Sequence, residues 1–366
     1  MSDKPTYPDM PKIDSLPDYV KEISKKSKLT NLLLSFLDFH ITEEAYSDYK
    51  ATNFKMANLL ETVADLKAYG YDVEVPETAE EYRTKVYPMI IEMHAKAGYW
   101  GIQVPVGGVL YDENGVLTEQ GVAQLKAQRK ILEDAGLHIS CVGGCWVPDW
   151  TQCIKPHIEA AHVLGTKYMY GPFSTPFLMF PEDVQGGEDS VIWAREQCKR
   201  FSKLLKEEIG PYAAKHGVQL CEEPLQRFER MPIRLKEAVE LAEMTQIDEF
   251  NVMIDTCHEF ADGEGPELYK SYVDRLYAAN SLHGAHISAV HRGKLYESWF
   301  NKEFFQDFFG PLFAHGFDGE ISIETFDATD PVVGMAKVNR EKFKNPIGVM
   351  INQLVYSTYM LKDIVK

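Results

Sequence analysis

Short apolar segments, rich in β-branched and aromatic residues, alternate along the chain with longer segments whose apolar residues recur at helical spacing. This alternation is typical of parallel βα units. Eight segments are predicted to form strands: Leu29 to Ile41, Tyr99 to Val106, His138 to Trp146, Thr166 to Phe173, Val218 to Leu225, Phe250 to His258, Leu282 to His291 and Glu320 to Phe326. Eight βα units close into an α/β barrel of the (β/α)8 TIM type, whereas a doubly wound sheet usually has fewer strands. The sequence also has no GxGxxG or GxxxxGK[ST] phosphate loop.

Seven segments between and after these strands are predicted to form helices: Glu119 to Ala135, Ile154 to Leu164, Val191 to His216, Leu235 to Met244, Leu268 to Asn280, Asn301 to His315 and Ile347 to Val365. A glycine ends the helix before five of the strands, at Gly98, Gly136, Gly165, Gly217 and Gly316. Glycine suits that position because the residue after the last helical turn often has a positive φ. The repeated unit predicts one domain, residues 29–366, with a helical insertion at about 43–88 and a leader at 1–28.

Four residues that can ligate a metal follow or end the late strands: Glu223, Asp255, His286 and Glu324. Burying a carboxylate at the end of an apolar strand is costly unless it is paired or coordinated, so the series predicts a cation site. Three carboxylates and one imidazole favour Mn²⁺, with Mg²⁺ or Co²⁺ as alternatives. For any single carboxylate, capping a helix or pairing with a basic neighbour explains the residue equally well.

Composition limits the class of partner. The net charge of −17 repels nucleic acid and anionic membranes, and no apolar run approaches the length of a membrane span. We therefore expect a small neutral substrate, with neither a nucleic acid nor a membrane as partner. The first residues lack the pattern of a secretory signal, which predicts a cytoplasmic protein. The six cysteines form no CxxC pair and lie mostly in apolar segments, so we expect buried, reduced thiols.

The late strand ends also carry a family resemblance. Glu223-Pro-Leu-Gln-Arg-Phe-Glu229, Asp255-Thr-Cys-His258, His286-Ile-Ser-Ala-Val-His-Arg292 and Ile323-Glu324 are similar to the signature of ketose 3-epimerases of the D-tagatose and D-psicose type. These enzymes belong to the xylose-isomerase-like sugar phosphate isomerase and epimerase superfamily. The match in order and spacing covers the C-terminal half, and the N-terminal half agrees in topology only. The family members are also shorter.

The resemblance implies an isomerase of carbohydrate metabolism that removes a proton next to a metal-bound ketose carbonyl, through an enediolate. Glu223 and Glu324 would be metal ligands as well as the acid/base pair, one on each face of the sugar. His258 and Arg292 would bind near the carbonyl oxygen, and Glu229 a terminal hydroxyl. The same logic follows from chemistry, since a cation lowers the cost of the enediolate and a carboxylate on each face permits epimerisation.

Two further residues are candidates for substrate contact, and several functions remain open. His40 closes the first predicted strand, and Trp146 could belong to an aromatic wall on which sugars stack; both are equally explained by packing. A lyase acting on keto-sugars, by C-glycoside or 3-keto-glycoside cleavage or by inosose dehydration, would use the same metal constellation. An endonuclease of the same barrel type and an inactive binding protein fit less well. We also expect a homo-oligomer.

Overall fold

The eight strands are parallel and close into a barrel in sequence order, as predicted. In this computed structural model the described residues are 5–52, 56–107, 109, 111–112, 115–144, 147–174, 177, 188–225, 234–262, 265–289, 292–326 and 343–365. The strands are β1 Leu29–Leu32, β2 Gly101–Pro105, β3 His138–Val142, β4 Tyr168–Gly171, β5 Gln219–Glu222, β6 Phe250–Asp255, β7 Leu282–Ile287 and β8 Ile321–Ile323. Closure comes from β1 and β8, which pair in register from Leu29 with Ile321 to Asn31 with Ile323.

Helices surround the barrel on its outer side. They are α1 Tyr19–Lys26, α2 Glu43–Thr52, α3 Met56–Ala68, α4 Tyr87–Ala97, α5 Glu119–Asp134, α6 Ile154–Leu164, α7 Glu188–Leu204, α8 Gly210–His216, α9 Leu235–Thr245, α10 Thr256–Asp262, α11 Pro266–Ala278, α12 Lys302–Ala314 and α13 Pro346–Leu361. The predicted glycines Gly98, Gly136, Gly165, Gly217 and Gly316 all have a positive φ, between 67° and 105°. They end helices or helix-terminal turns, as the repeated unit requires.

Most predicted strands extend too far at their carboxyl ends. The first was predicted to reach Ile41, but β1 ends at Leu32 and a 3-10 turn, Leu33–Ser35, follows. The sixth was predicted to reach His258, but β6 ends at Asp255 and α10 begins at Thr256. Residues after the strand ends are still buried, because loops at this end cover the barrel, so apolar character alone does not mark where pairing stops.

The last helix, α13, is buried between other elements. Every residue of α13 except Tyr359 is buried. At its start the Ile347 amide donates to Asp65 Oδ2 on α3 at 2.9 Å, and further along Asn352 Nδ2 donates to the Pro8 carbonyl at 2.8 Å. Helices α1 and α3 pack on α13 as well. The polypeptide before β2 therefore covers a helix that would otherwise expose an apolar face.

The cysteine prediction is only partly right. Cys141, Cys198, Cys221 and Cys257 are free and buried. Cys153, just before α6, is disulfide-bonded, so the expectation of a reduced thiol is wrong at that position. Cys153 lies in the connection from β3 to α6 and outside both elements, where an apolar neighbourhood does not fix its chemistry. Among the described helices, none combines the length and the hydropathy needed to cross a bilayer.

Candidate metal centre

Four side chains from successive strands meet at the carboxyl end of the barrel. Glu223 follows β5, Asp255 ends β6, His286 lies in β7 and Glu324 follows β8. One potential ligand atom from each lies within 4.8 Å of those of the other three. All four residues are at least 93% buried. The structure thus brings together the four residues that the sequence singled out, at the carboxyl end of the barrel, where TIM-barrel enzymes in general have their active sites.

Backbone hydrogen bonds fix the residues that follow the strands. The Glu223 amide donates to the Gly171 carbonyl at 2.9 Å, and the Glu324 amide donates to the Ile287 carbonyl at 3.0 Å. Asp255 and His286 are register partners on β6 and β7. Register partners on parallel strands share one face of the sheet, so these side chains point into the barrel on a rigid scaffold.

His286 is oriented by a glutamine on β2. Its Nε2 lies 3.0 Å from Gln103 Oε1, and since that oxygen only accepts, the proton of this hydrogen bond is on Nε2. Nδ1 then faces the carboxylates, 3.7 Å from Glu223 Oε1 and 3.4 Å from Glu324 Oε2. Nδ1 has no hydrogen-bond partner among the described residues. A histidine held in this way by its other nitrogen is the usual arrangement of a metal ligand.

Arg292 reaches into the same cluster from the loop after β7. Its Nη1 donates to Asp255 Oδ2 and to Ser288 Oγ, each at 2.7 Å, and also contacts Glu324 Oε2. Arg292 has φ +55°, a left-handed conformation that is uncommon for a residue with a side chain. Its amide donates to the Ala289 carbonyl and its carbonyl accepts from the Phe326 amide, so the loop holds this conformation. Such backbone strain is typical of functional sites.

His258 and Ser288 complete the surroundings. His258 Nε2 lies 2.8 Å from Arg292 Nη2, a donor, and 3.5 Å from Glu223 Oε1. Asp255 Oδ1 accepts from the Cys257 amide at 2.7 Å and from Ser288 Oγ. The outward oxygen of Asp255 is therefore held by donors on two elements, which leaves Oδ2 for Arg292 or a cation.

The pKa values of the two glutamates at the site are displaced in opposite directions. Burial raises the pKa of the Glu223 carboxyl, but the imidazoles of His258 and His286 outweigh burial, and the pKa lies below its ordinary value. At Glu324 burial prevails over the Arg292 guanidinium and holds the pKa above its ordinary value. Burial lowers the pKa of His286, but Glu223 and Glu324 together raise it to about 10. Two carboxyls with pKa values displaced in opposite directions are the usual mark of an acid/base pair.

These residues fit a divalent cation. Ligand atoms bound about 2.1 Å from one ion lie about 3–3.5 Å from each other, close to the separations between His286 Nδ1 and its two glutamates. Three carboxylates share the pocket with one guanidinium, and His286 Nδ1 is directed at them without a hydrogen bond among the described residues. Oxygen donors with one imidazole nitrogen suit Mn²⁺, Mg²⁺ or Co²⁺ and are poor ligands for a soft ion.

The remaining predicted residues are placed elsewhere or fall outside the described residues. His40 is buried, and its Nε2 lies 2.9 Å from Gln128 Oε1 on α5; Gln128 in turn donates to the Tyr87 hydroxyl on α4. His40 therefore packs against helices and does not join the four-residue cluster, and its contact with substrate stays a prediction. Glu229 and Trp146 lie outside the described residues, so their predicted contacts with substrate stay predictions as well.

Three polar residues at the site were not assigned a role from the sequence. Ser288 lies two residues after His286 and therefore faces the same side of the strand. The two-residue period of a strand could have predicted this from the sequence. Gln103 is a polar residue within an apolar strand. Glu222 is fully buried and accepts hydrogen bonds from the Ser174 amide, at 2.9 Å, and from the Ser174 hydroxyl. Burial raises the pKa of Glu222 to about 8, against these hydrogen bonds.

A family model described as the xylose isomerase-like TIM barrel matches residues 91–345, more than half of the sequence. The chain belongs to this family. No curated protein matches it in sequence.

Solved structures share the fold at low sequence identity. A candidate sugar phosphate isomerase/epimerase from Anabaena variabilis is 20% identical, with TM-score 0.62, over 92% of this chain and 99% of that one. D-Psicose 3-epimerase from Clostridium cellulolyticum H10, solved with D-tagatose, is 16% identical, with TM-score 0.56, over 76% and 93%. A 3-keto-D-glucoside 4-epimerase from E. coli is 17% identical, with TM-score 0.50, over 69% and 92%.

Proposed function

We propose that the protein is a metal-dependent sugar isomerase or epimerase of the ketose 3-epimerase type, with Glu223, Asp255, His286 and Glu324 as metal ligands. The observation that carries the proposal is the position of Glu223 and Glu324, buried together with Asp255 and close to His286 Nδ1, with a potential ligand atom of each residue within 4.8 Å of the others. The named activities of the structural relatives are consistent with it. When bound, a divalent ion, Mn²⁺ by preference, would polarise the carbonyl and neighbouring hydroxyl of a keto-sugar.

The side chains of this protein would then carry the proton. Glu223, ionised by its imidazole neighbours, would remove the proton next to the carbonyl, and Glu324 would return one to the opposite face. Arg292 would stabilise the negative charge that develops on the substrate oxygens, and His258, whose Nε2 accepts from Arg292 Nη2 at 2.8 Å, would orient the guanidinium beside the substrate. Arg292 also contacts Asp255 and Glu324, which ties the substrate-binding groups to the metal ligands.

The proposal is tested by turnover in heavy water with a panel of ketoses and a 3-keto-glucoside. Product from the native enzyme should carry deuterium at the reacting carbon, because a carboxylate exchanges its captured proton with solvent. Glu223→Gln and Glu324→Gln, which keep an oxygen ligand and remove the base, should each reduce kcat by about 100-fold or more. Glu222→Gln is the matched control, since this neighbouring glutamate bonds Ser174, and it should retain activity.

Two outcomes would count against the proposal. Product without solvent deuterium would indicate hydride transfer in place of two-base chemistry. Release of a cleaved or dehydrated product from the keto-sugar would assign the protein to the lyases, which begin with the same proton abstraction.

A further inference from the structure

Below the candidate metal centre, the interior of the barrel is polar on one side and mostly apolar on the other, where the exception is the buried Asn251, the register partner of Cys221. On the side of β4 to β6, the buried side chains of Tyr170, Cys221 and Met253 pack together. On the side of β8 to β3 the corresponding residues are polar and fully buried: Ser322, Thr30, Gln103 and Ser140. This polar side lies in the space that branched apolar residues usually fill in such barrels.

Strand register shows that these polar side chains share the interior face. Ser322 is the register partner of His286, which points into the barrel, and Thr30 is the register partner of Ser322. Ser140 is the register partner of Gln103, whose amide contacts His286. Because register partners on parallel strands face the same side, the four form a continuous polar surface inside the barrel.

The polar atoms of this surface have no hydrogen-bond partner among the described residues. They are Ser322 Oγ, Thr30 Oγ1, Ser140 Oγ and Gln103 Nε2. The Tyr170 hydroxyl and both carboxylate oxygens of Glu320 share this property. Buried polar groups in native proteins are nearly always hydrogen-bonded, and leaving so many unsatisfied in one place would offset much of the stability of a domain.

Tyr170 and Glu320 extend the polar surface towards the amino-terminal end of the barrel. The Tyr170 ring crosses the interior to β7, where a Cβ placed on Gly284 would lie only 2.3 Å from it. Glu320, just before β8, is 2% exposed, and its Oε1 lies 3.0 Å from His138 Nε2, an ion-pair distance without hydrogen-bond geometry. Burial raises the pKa of Tyr170, and the Glu320 carboxylate raises it further by its charge and by direct interaction with the hydroxyl, so the two groups lie near each other.

This surface runs from a pocket at the amino-terminal end of the barrel to the candidate metal centre. At the amino-terminal end Glu320 and His138 line a pocket of about 340 Å³, together with Trp100 and Tyr168. At the other end Gln103 holds His286. Ser322 lies midway on the strand between Glu320 and Glu324, so each step along β8 is about 7 Å, a distance that one or two water molecules span.

We propose that the polar side of the barrel interior binds a column of water molecules from Glu320 to Gln103, and that this column gives solvent access to the metal centre from behind. Water is the ligand that satisfies isolated hydroxyl, amide and carboxylate groups together, since each molecule both donates and accepts. The binding of water is independent of the proposed function. The second part of the proposal, that the column supplies solvent to the metal centre while a sugar fills the carboxyl-end mouth of the barrel, rests on the proposed function.

The column is tested by counting long-lived internal water through magnetic relaxation dispersion of ¹⁷O and ²H in the metal-free protein. Ser322→Val, which fills space and removes a hydroxyl, should lower the signal of long-lived water by about half or more, and Thr30→Val, of nearly equal volume, should lower it as well. Ser202→Val on α7 is the matched control, because this buried serine accepts from Thr245 Oγ1 and needs no water. An unchanged signal in both Ser322→Val and Thr30→Val would overturn the column.

The route is tested by hydrogen exchange of the Gln103 side-chain amide, followed by NMR in the glutamine-labelled protein. Exchange should slow about tenfold or more in Ser322→Val and stay unchanged in Ser202→Val. Equal exchange rates in the native protein and in Ser322→Val would show that solvent reaches Gln103 only through the mouth. Neither result depends on turnover, so failure here and failure of the proposed function can be told apart.

Discussion

The two ends of the barrel carry similar residues with opposite results. At the carboxyl end, His286 of β7 lies close to Glu324, which follows β8. At the amino-terminal end, His283 is the second residue of the same β7 and Glu320 precedes the same β8. Burial lowers the pKa of His283 to about 4, whereas Glu223 and Glu324 raise that of His286 to about 10 despite burial.

The pKa values of the two histidines differ because of the side chains that surround each of them, since the residue type is the same. His286 faces two buried carboxylates and has Gln103 behind it. His283 is stacked on the Tyr168 ring at 3.7 Å, burial is the main cause of its lowered pKa, and the opposing carboxylates of Glu320 and Asp318 are offset by Lys28 and Lys167. Among the described residues only the carboxyl end gathers four potential ligands within 4.8 Å. A buried imidazole is thus either placed where it could hold a cation or left as a neutral packing residue, according to the burial and the charges that its neighbours supply.

The largest effect that would separate the two ends concerns metal affinity. We expect His286→Ala to weaken Mn²⁺ binding by at least about 100-fold, because it removes a ligand and leaves three carboxylates with one fewer partner. His283→Ala should bind Mn²⁺ within about twofold of the native protein, since His283 lies at the opposite end. Titration calorimetry on chelator-treated protein measures both. Full affinity in His286→Ala would remove this residue from the metal centre.

A smaller effect is expected from the glutamine that orients His286. Gln103→Leu should weaken Mn²⁺ binding by about 10- to 100-fold, because His286 loses the acceptor that fixes its tautomer. The chain offers a matched control in Gln128→Leu, which removes an equivalent glutamine–histidine contact, to His40, away from the cluster. Affinity is measured by the same titration. Equal losses in the two variants would mean that the effect of Gln103 is only one of general stability.

The smallest effect concerns the acid stability of the amino-terminal end. Because the pKa of His283 is lowered to about 4 in the folded protein and is about 6.5 when unfolded, the unfolded chain binds more protons between these values. Stability is therefore lost as pH falls from about 6.5 to 4. Between pH 7 and pH 4.5 the free energy of unfolding of His283→Phe should fall by about 1–2 kcal/mol less than that of the native protein, after allowing for the partial exposure of His283.

Denaturant titration of the metal-free native protein and of His283→Phe, each at pH 7 and pH 4.5, measures the two losses of stability. The contribution of His286 is the same in the two proteins and cancels in the comparison. Parallel losses in the native protein and His283→Phe would show that the imidazole at the amino-terminal end is already solvated.

The barrel and its late strand ends could be predicted because they depend on local patterns. Apolar runs separated by helical segments, with a glycine at the end of the helix before five of the strands, indicate where the units lie, and closure follows from their number. Glu223, Asp255, His286 and Glu324 were identifiable because a polar residue at the end of an apolar strand needs a partner. Their convergence needed only the rule that carboxyl ends of barrel strands meet.

What the sequence did not predict depends on contacts between distant segments. The pattern of the first predicted strand does not reveal that His40, which lies beyond the end of β1, contacts Gln128, 88 residues later. Ser288 and Gln103 acquire their roles only through side chains on other strands. The polar barrel interior was missed because single serines and threonines in apolar strands look neutral until strand register places them side by side. The disulfide of Cys153 likewise depends on a contact that spacing does not specify.

The burial of α13 has a consequence for how the protein is made. β1 must wait for β8, nearly 300 residues later, before the barrel can close, and α13 must then fit beneath α1 and α3. During synthesis the early segments therefore emerge with their partners still unmade, and their apolar surfaces stay exposed until the ribosome has translated α13. A stop codon or a frameshift between Glu324 and Asn345 would leave all eight strands without α13, and the apolar surface that α13 covers would stay exposed to chaperones and proteases, even though every residue of the candidate metal centre had been made.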